Sequence, residues 1–276
     1  MLKLEKWLNR PGAKVAFSDT AVDARAVVLT HGAGMDHTMW EDQAAALGAA
    51  GYRVILWDMR GHGESSLSSE TQFTVTDALD DLAALLDECR VERPVLVGHS
   101  IGGNLGQAFV QAHPDRVAGL IVVDATWNAG PLSTFERLGL RLAALALRLI
   151  PASKLPALMA KASATTPSAI SRTEAVFAQM PKARFLDVWV AAVSMIDPDP
   201  VSRCPVLLGL VRGEHDGTGN IATAMPQWAR SVGVAEHIIP GAGHIVTWDA
   251  PEATSQALLQ ILHEWSPAAG TARGES

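Results

Sequence analysis

The chain has 276 residues, 48% of them hydrophobic, and a formal net charge of −7. Length and apolar content suit one large domain with a substantial core, or two small ones. The acidic balance argues against a nucleic-acid partner, which needs a basic surface to neutralise phosphates, and two unpaired cysteines, Cys89 and Cys204, argue against a disulfide framework or a thiolate zinc site.

At the start, MLKLEKWLNRPGAKVAF is charged throughout and has no apolar core before a small-residue cleavage site. No signal peptide is read, and a cytoplasmic location is expected. Next come short β-branched runs alternating with helical patterns. AVVLT (26–30), RVILW (53–57), PVLVG (94–98), LIVVD (120–124), PVLLGLV (205–211) and AEHII (235–239) read as buried strands of a parallel sheet. Between the second and third, Leu79, Leu82, Leu86 and Cys89 recur at helical spacing and share one face. Further helices fit near 38–50, 102–113, 220–232 and 251–265. The alternation predicts an α/β fold, a mostly parallel central sheet flanked by helices. No stretch approaches an unbroken apolar run of about 20 residues, so no membrane span is expected. The tail PAAGTARGES is small and polar, and residues 267–276 are expected to be disordered.

The alternation breaks between Asp124 and Pro205, where Ala/Leu-rich helices are separated by Pro151, Pro156, Pro167 and Pro181. This predicts a helical insertion over 126–204, on a core made of 1–125 and 205–266. Residues 126–200 hold eight Lys/Arg and five Asp/Glu, a balance of +3 that leaves −10 for the rest. In ERLGLRLAALALRLI (136–150), Arg137, Arg141 and Arg148 form one narrow polar stripe on an otherwise apolar helix. That pattern predicts a helix buried against the main domain. It also allows an acyl-pocket wall or a homodimer contact, whereas the narrow basic stripe disfavours membrane-surface binding. Trp127, Leu142 and Trp189 are the candidate substrate-binding residues, and Phe135, Met159, Met180 and Met195 are further apolar candidates for a pocket wall.

VLVGHSIGGN (95–104) sets Ser100 between Gly98 and Gly102 in a G-x-S-x-G pattern, directly after a strand and before a helix. Glycines two residues either side let strand and helix approach closely and hold the hydroxyl in a strained, projecting turn. From 23 glycines and 17 serines, chance alone yields about 0.1 such matches in a chain of this length, so the strand–turn–helix context matters. A serine hydroxyl needs a positioned base, which an acid then orients. His244, in the glycine-rich loop PGAGH after the last strand, suits the base, with His215 as its rival. Asp216, following PVLLGLV, suits the acid, with Asp124 and Glu214 as alternatives. Small residues in His31-Gly32-Ala33-Gly34 leave backbone N–H groups free, so Ala33 and Ile101 are candidate oxyanion donors. Asp58-Met59-Arg60-Gly61-His62-Gly63-Glu64-Ser65 reads as scaffold, a hydrogen-bonded turn after a strand. His99 reads as a packed histidine and His31 as a brace for the oxyanion loop.

LTHGAGMDHTMW (29–40), DMRGHGES (58–65), GHSIGG (98–103), GEHD (213–216) and GAGHIVTWDAPE (241–252) together resemble the α/β-hydrolase superfamily, in its helical-cap branch of small esterases and lactonases. The resemblance spans about 25–265. It implies a Ser100–His244–Asp216 triad, Ala33 and Ile101 as oxyanion donors, and a lid over 126–204. The activity it implies is hydrolysis of a small, fairly apolar carboxylic ester or lactone, with no cofactor and no metal. Serine at position 100 sets the chain apart from the haloalkane dehalogenases and epoxide hydrolases, whose nucleophile is aspartate. A ligand-binding or signalling protein with a slow triad stays open, as do carbon–carbon bond hydrolase, lyase and perhydrolase chemistry.

Overall fold

The structure, a computed structural model, describes residues 3–199 and 201–266; the expected tail disorder lies outside them. Among the described residues one sheet of nine strands runs through the molecule, in the order β1-β2-β4-β3-β6-β7-β8-β9 with the short β5 paired to β2. β1 (Lys6–Arg10) and β2 (Ala13–Asp19) form an antiparallel hairpin. The residues between them are Pro11 and Gly12, the latter at φ 66°, a left-handed conformation that favours glycine. β2 runs antiparallel to β4 (Arg53–Trp57) and to β5 (Ser66–Leu67). From β4 onward the pairing is parallel through β3 (Ala26–Thr30), β6 (Val95–His99), β7 (Gly119–Val123), β8 (Leu207–Gly213) and β9 (Glu236–Ile239). All six strands read from the apolar runs are present, within two residues of their expected bounds.

β3, β6 and β7 are buried at every residue, because helices cover both faces of the sheet. Alternate side chains serve the two sides. Val28, Ile55, Leu96, Leu120 and Leu210 pack with α2 (Val75–Glu88), α3 (Ile101–Ala112) and α8 (Ile221–Val232). Val27, Val54, Val97, Ile121 and Val211 pack with α1 (Glu41–Ala49) and α9 (Pro251–Glu264) on the other. Thr74 caps α2 by accepting the Asp77 N–H, and Leu82, Leu86 and Cys89 turn inward as their spacing predicts, with Leu79 half-buried.

The 58–65 turn is a polar knot. Asp58, fully buried, accepts the His37 and Glu64 N–H groups at 2.6 and 2.8 Å. Arg60, 1% exposed, clasps Asp81 of α2 through two hydrogen bonds of 2.6 and 2.7 Å. Burial also holds His62 neutral, its pKa pushed down to about 3. None of these side chains lines the cavities at Ser100.

Between β7 and β8 lie α4 (Thr134–Leu149), α5 (Leu155–Ser163), α6 (Pro167–Phe177) and α7 (Lys182–Ser194). Asp249 ties this insertion to the core by accepting the N–H groups of Thr165, Thr166 and Gly243 at 2.8–3.0 Å. One expectation fails here. α4 is not buried all round: Leu147 packs against Leu155, Phe177 and Phe185, but Phe135 and Leu149 are more than four-fifths exposed. Its inner side is held by a few small contacts, and among the described residues nothing covers its outer side. No helix among the described residues is long and apolar enough to cross a membrane.

Removing the Asp81 carboxylate leaves the buried Arg60 guanidinium with only the part-exposed Asp77, 3.2 Å from its Nη1, and breaking a buried pair costs up to about 3–5 kcal/mol. Asp81→Ala is therefore expected to lose that much stability in urea unfolding, and an unchanged midpoint would contradict the role given to the pair.

Candidate active site

Ser100 sits at the junction of β6 and α3 with φ 52° and ψ −121°, a conformation that side chains rarely adopt. The surroundings impose it. A Cβ on Gly98 would lie 2.2 Å from the Gly102 carbonyl oxygen, and one on Gly102 would lie 2.5 Å from that of Thr30. The Ser100 N–H donates to the Val123 carbonyl at 2.9 Å, pinning the elbow to β7. Its side chain stays partly exposed, facing a cavity of about 180 Å3 that also meets Ala33, Met35, Met159, Phe177, Phe185, Trp189 and His244.

His244 enters that cavity from the loop after β9. Its Nδ1 lies 3.0 Å from Oδ2 of Asp216, which follows β8, and both residues are buried. A carboxylate at Nδ1 fixes the tautomer: Nδ1–H donates to Asp216, which leaves Nε2 as a proton acceptor. His99 Nε2–H donates to the His244 carbonyl at 2.7 Å. His99 is fully buried, with its pKa pushed down to about 3, first by burial and then by the neighbouring His244. His215, the rival base, is exposed, with its Nε2 3.9 Å from Glu214. Glu214 accepts the Gly241 N–H at 2.8 Å and does not contact His244.

Asp124 lies beside Asp216, and the two carboxyls behave oppositely. Burial opposes ionisation of Asp216, but the charge and hydrogen bond of His244, the Thr218 N–H and the Asp124 carboxyl outweigh it and hold its pKa well below the usual carboxylate range. Burial and the Asp216 charge push Asp124 well above that range, against the pull of the Gly213 N–H at 2.8 Å. One charge is therefore shared by the pair, and it resides on Asp216. Asp124, Asp216 and His244 place ligand atoms within 4.8 Å of one another. With Asp124 neutral and His244 Nδ1 given to Asp216, that set is a weak cage for a hard cation.

The loop after β3 supplies the remaining part. Met59 N–H donates to His31 Nε2 at 2.9 Å, so His31 Nδ1–H donates to the Gly32 carbonyl at 2.8 Å and braces the loop. Gly32 leaves room for His99, whose Nδ1 would sit 2.5 Å from a Cβ there. Among the described residues the N–H groups of Ala33 and Ile101 donate to no protein acceptor. Both residues line a second cavity of about 90 Å3 at Ser100, together with Asn104, Leu140, Trp189 and Asn220.

The structure brings Trp189 to the site but not Trp127 or Leu142. Trp127 stacks on Trp228, centroids 5.6 Å apart, and lines a separate cavity with Gln107, Met195 and Cys204. Leu142 is half exposed on the outer side of α4, whose inner Leu140 lines the site instead. Met159 meets the cavity, Phe135 is exposed, Met195 lies in the core and Met180 packs within the insertion. The sequence reading missed Met35, Phe177 and Phe185. Their apolar character was visible, but only the packing of the insertion says which side chains face Ser100.

The chain belongs to the alpha/beta hydrolase family, whose model matches residues 27–257. It is 31% identical over 257 residues to a protein of Caulobacter sp. (strain K31) named "Putative carbamate hydrolase RutD", covering 88% of this chain and 92% of that one. A thermophilic esterase from Thermogutta terrifontis is 29% identical and superposes with a TM-score of 0.75 over 92% of this chain and 95% of its own. The enol-lactonase from Burkholderia xenovorans LB400, 20% identical with a TM-score of 0.74 over 94% of this chain and 100% of its own, shares the fold.

A raised carboxyl pKa favours folding only below the unfolded value, and that contribution disappears as pH rises through the folded value. Asp124 in the unfolded chain ionises near the ordinary 3.8. Its burial as a neutral acid therefore costs progressively more above that pH. Asp124→Asn keeps an acceptor for Gly213 and a donor for Asp216. Its stability relative to wild type is expected to rise between pH 4 and pH 8, and a difference in melting temperature independent of pH would refute the neutral assignment.

Proposed function

We propose that the protein is a serine hydrolase that cleaves a small, fairly apolar carboxylic ester or lactone through an acyl-enzyme. The observation that carries this reading is the strained Ser100 elbow opening on the same cavity as a His244 whose Nδ1 is held by Asp216. His244 Nε2 takes the proton as Ser100 Oγ attacks the carbonyl carbon. Negative charge gathers on the carbonyl oxygen, and the Ala33 and Ile101 N–H groups receive it. Collapse of the tetrahedral adduct expels the alcohol, which takes its proton from His244. Water, deprotonated by the same nitrogen, then releases the acid. Asp216 stays ionised throughout and stabilises the imidazolium. No metal or cofactor enters these steps.

The pocket supports the apolar substrate class. Met35, Met159, Phe177 and Phe185 form one wall, and the compartment is too small for a bulky acid. The insertion over 126–204 acts as a lid, since α5, α6 and α7 supply most of that wall. A carbamate is the second reading, favoured by the similarity to the Caulobacter protein along nearly the whole chain. Its carbonyl meets the same nucleophile and oxyanion donors.

Two measurements test the assignment. A fluorophosphonate is expected to add to the wild-type protein with loss of fluoride, seen by intact mass, and not to Ser100→Ala. Across a panel of esters, lactones and carbamates of graded acyl length, Ser100→Ala is expected to lower kcat/KM by roughly 10^4-fold or more. Near-native turnover in that variant would overturn the proposal, and a preference for carbamates would replace the ester with the second reading.

A further inference from the structure

The outer side of α4 carries Phe135, Leu138, Leu142, Leu145 and Leu149, with 87, 52, 53, 55 and 85% of their surfaces exposed. They recur at alternating spacings of three and four, and so form one seam along a helix of 16 residues, about 24 Å long. Isolated exposed leucines need no explanation, but a contiguous apolar strip of a few hundred Å2 marks a docking surface.

Charge decides what docks. From Arg137 to Thr173 the chain holds six cations, Arg137, Arg141, Arg148, Lys154, Lys161 and Arg172, and no Asp or Glu. Arg137, Arg148, Lys154 and Lys161 are exposed, whereas Arg172 is held beside Glu41 at 3.7 Å and stacks on Trp248. Glu136, just before this stretch, is occupied in the capping box with Ser133. By helical periodicity Arg137 and Arg148 fall about 120° and 100° round the helix from the centre of the seam. Their long stems let the guanidinium groups reach a headgroup layer while the leucines sit deeper.

We infer that the outer face of α4 seats on an anionic lipid surface, because the exposed seam supplies the apolar face that the narrow arginine stripe alone did not indicate. A second copy of the chain fits this face less well. Two-fold pairing would set a cation-only stretch against itself. The five side chains also expose on the order of 600 Å2, short of the roughly 800 Å2 per partner in a stable protein interface. The inner side of the same helix, through Glu136, Gly139, Leu140 and Ala143, lines a cavity of about 240 Å3 that shares Leu140, Trp189 and Asn220 with the one at Ser100. Seating α4 therefore brings that cavity within about one helix diameter, 10 Å, of the lipid. The inference concerns binding and does not depend on the reaction proposed above.

Flotation with vesicles tests it, using phosphatidylcholine alone or mixed with phosphatidylglycerol in equal parts, with light scattering on the same samples. The wild-type protein is expected to bind the mixed vesicles at least about tenfold more tightly than the neutral ones, and to be released by about 0.5 M salt. Leu142→Glu/Leu145→Glu is expected to lower that binding at least about tenfold at an unchanged melting temperature, because both side chains already face water. Arg137→Gln/Arg148→Gln, which leaves the seam intact, is expected to reduce the preference for the mixed vesicles. Absence of wild-type binding, equal binding to both vesicles, or full binding by the leucine variant would overturn the inference. So would a solution dimer that the leucine variant splits while vesicles bind neither form, since the seam would then be covered by a second copy.

Discussion

A Cβ on Gly98 in β6 would strike the backbone of Gly102 in the first turn of α3, and one on Gly102 would strike the Thr30 and His31 carbonyls at the end of β3. These contacts bring the helix directly off the strand and leave Ser100 at φ 52°. The Ser100 N–H is pointed back at β7, and the Ile101 N–H is released from any strand or helix partner. The proposed nucleophile and one proposed oxyanion donor thus come from a single backbone bend. Gly103 extends the same close packing, since a Cβ there would meet Ala125 at 2.8 Å. Strain of this kind, of order 1–3 kcal/mol, persists because the neighbouring strands leave no alternative path.

The histidine side of the site combines close backbone packing, since a Cβ on Gly213 would lie 2.0 Å from the Gly243 carbonyl oxygen, with electrostatics. A fully buried pair of carboxyls cannot carry two charges, and the hydrogen bonds decide which one ionises. Asp216 receives His244 and the Thr218 N–H, while Asp124 has the Gly213 N–H alone among backbone donors. The outcome is a fixed carboxylate facing an imidazole of defined tautomer. Neutral His99, its ring 4.7 Å from that of His244 and its Nε2–H on the His244 carbonyl, packs against that imidazole without adding charge.

Most of the sheet could be read from the chain because its parallel strands are buried on both faces and appear as unbroken apolar runs. β1 and β2 escaped because they lie at the antiparallel edge, where Lys6, Asn9 and Lys14 alternate with apolar residues and hide the strand among charges. The gathering of Ser100, His244, Asp216, Ala33 and Ile101 at one sheet edge could be read from the chain because each lies next to a strand end and a glycine-rich turn. The substrate wall could not. Trp127 and Trp189 look alike in sequence, yet one stacks on Trp228 and the other faces Ser100, a difference set by how four helices settle on the core. The orientation of α4 was equally hidden, because leucine and alanine occur on both of its sides.

Trp189 borders the apolar compartment beside His244, the smaller compartment beside Ile101 and the cavity beneath α4. One indole is thus a party wall. Variation at this position cannot retune the space on one side of Ser100 while leaving the other as it was, so under the proposed reaction selectivity for the two halves of a substrate is coupled. Drift toward a new substrate that must change only one half has to proceed through Phe177 or Met159 on one side, or Leu140 or Ile196 on the other.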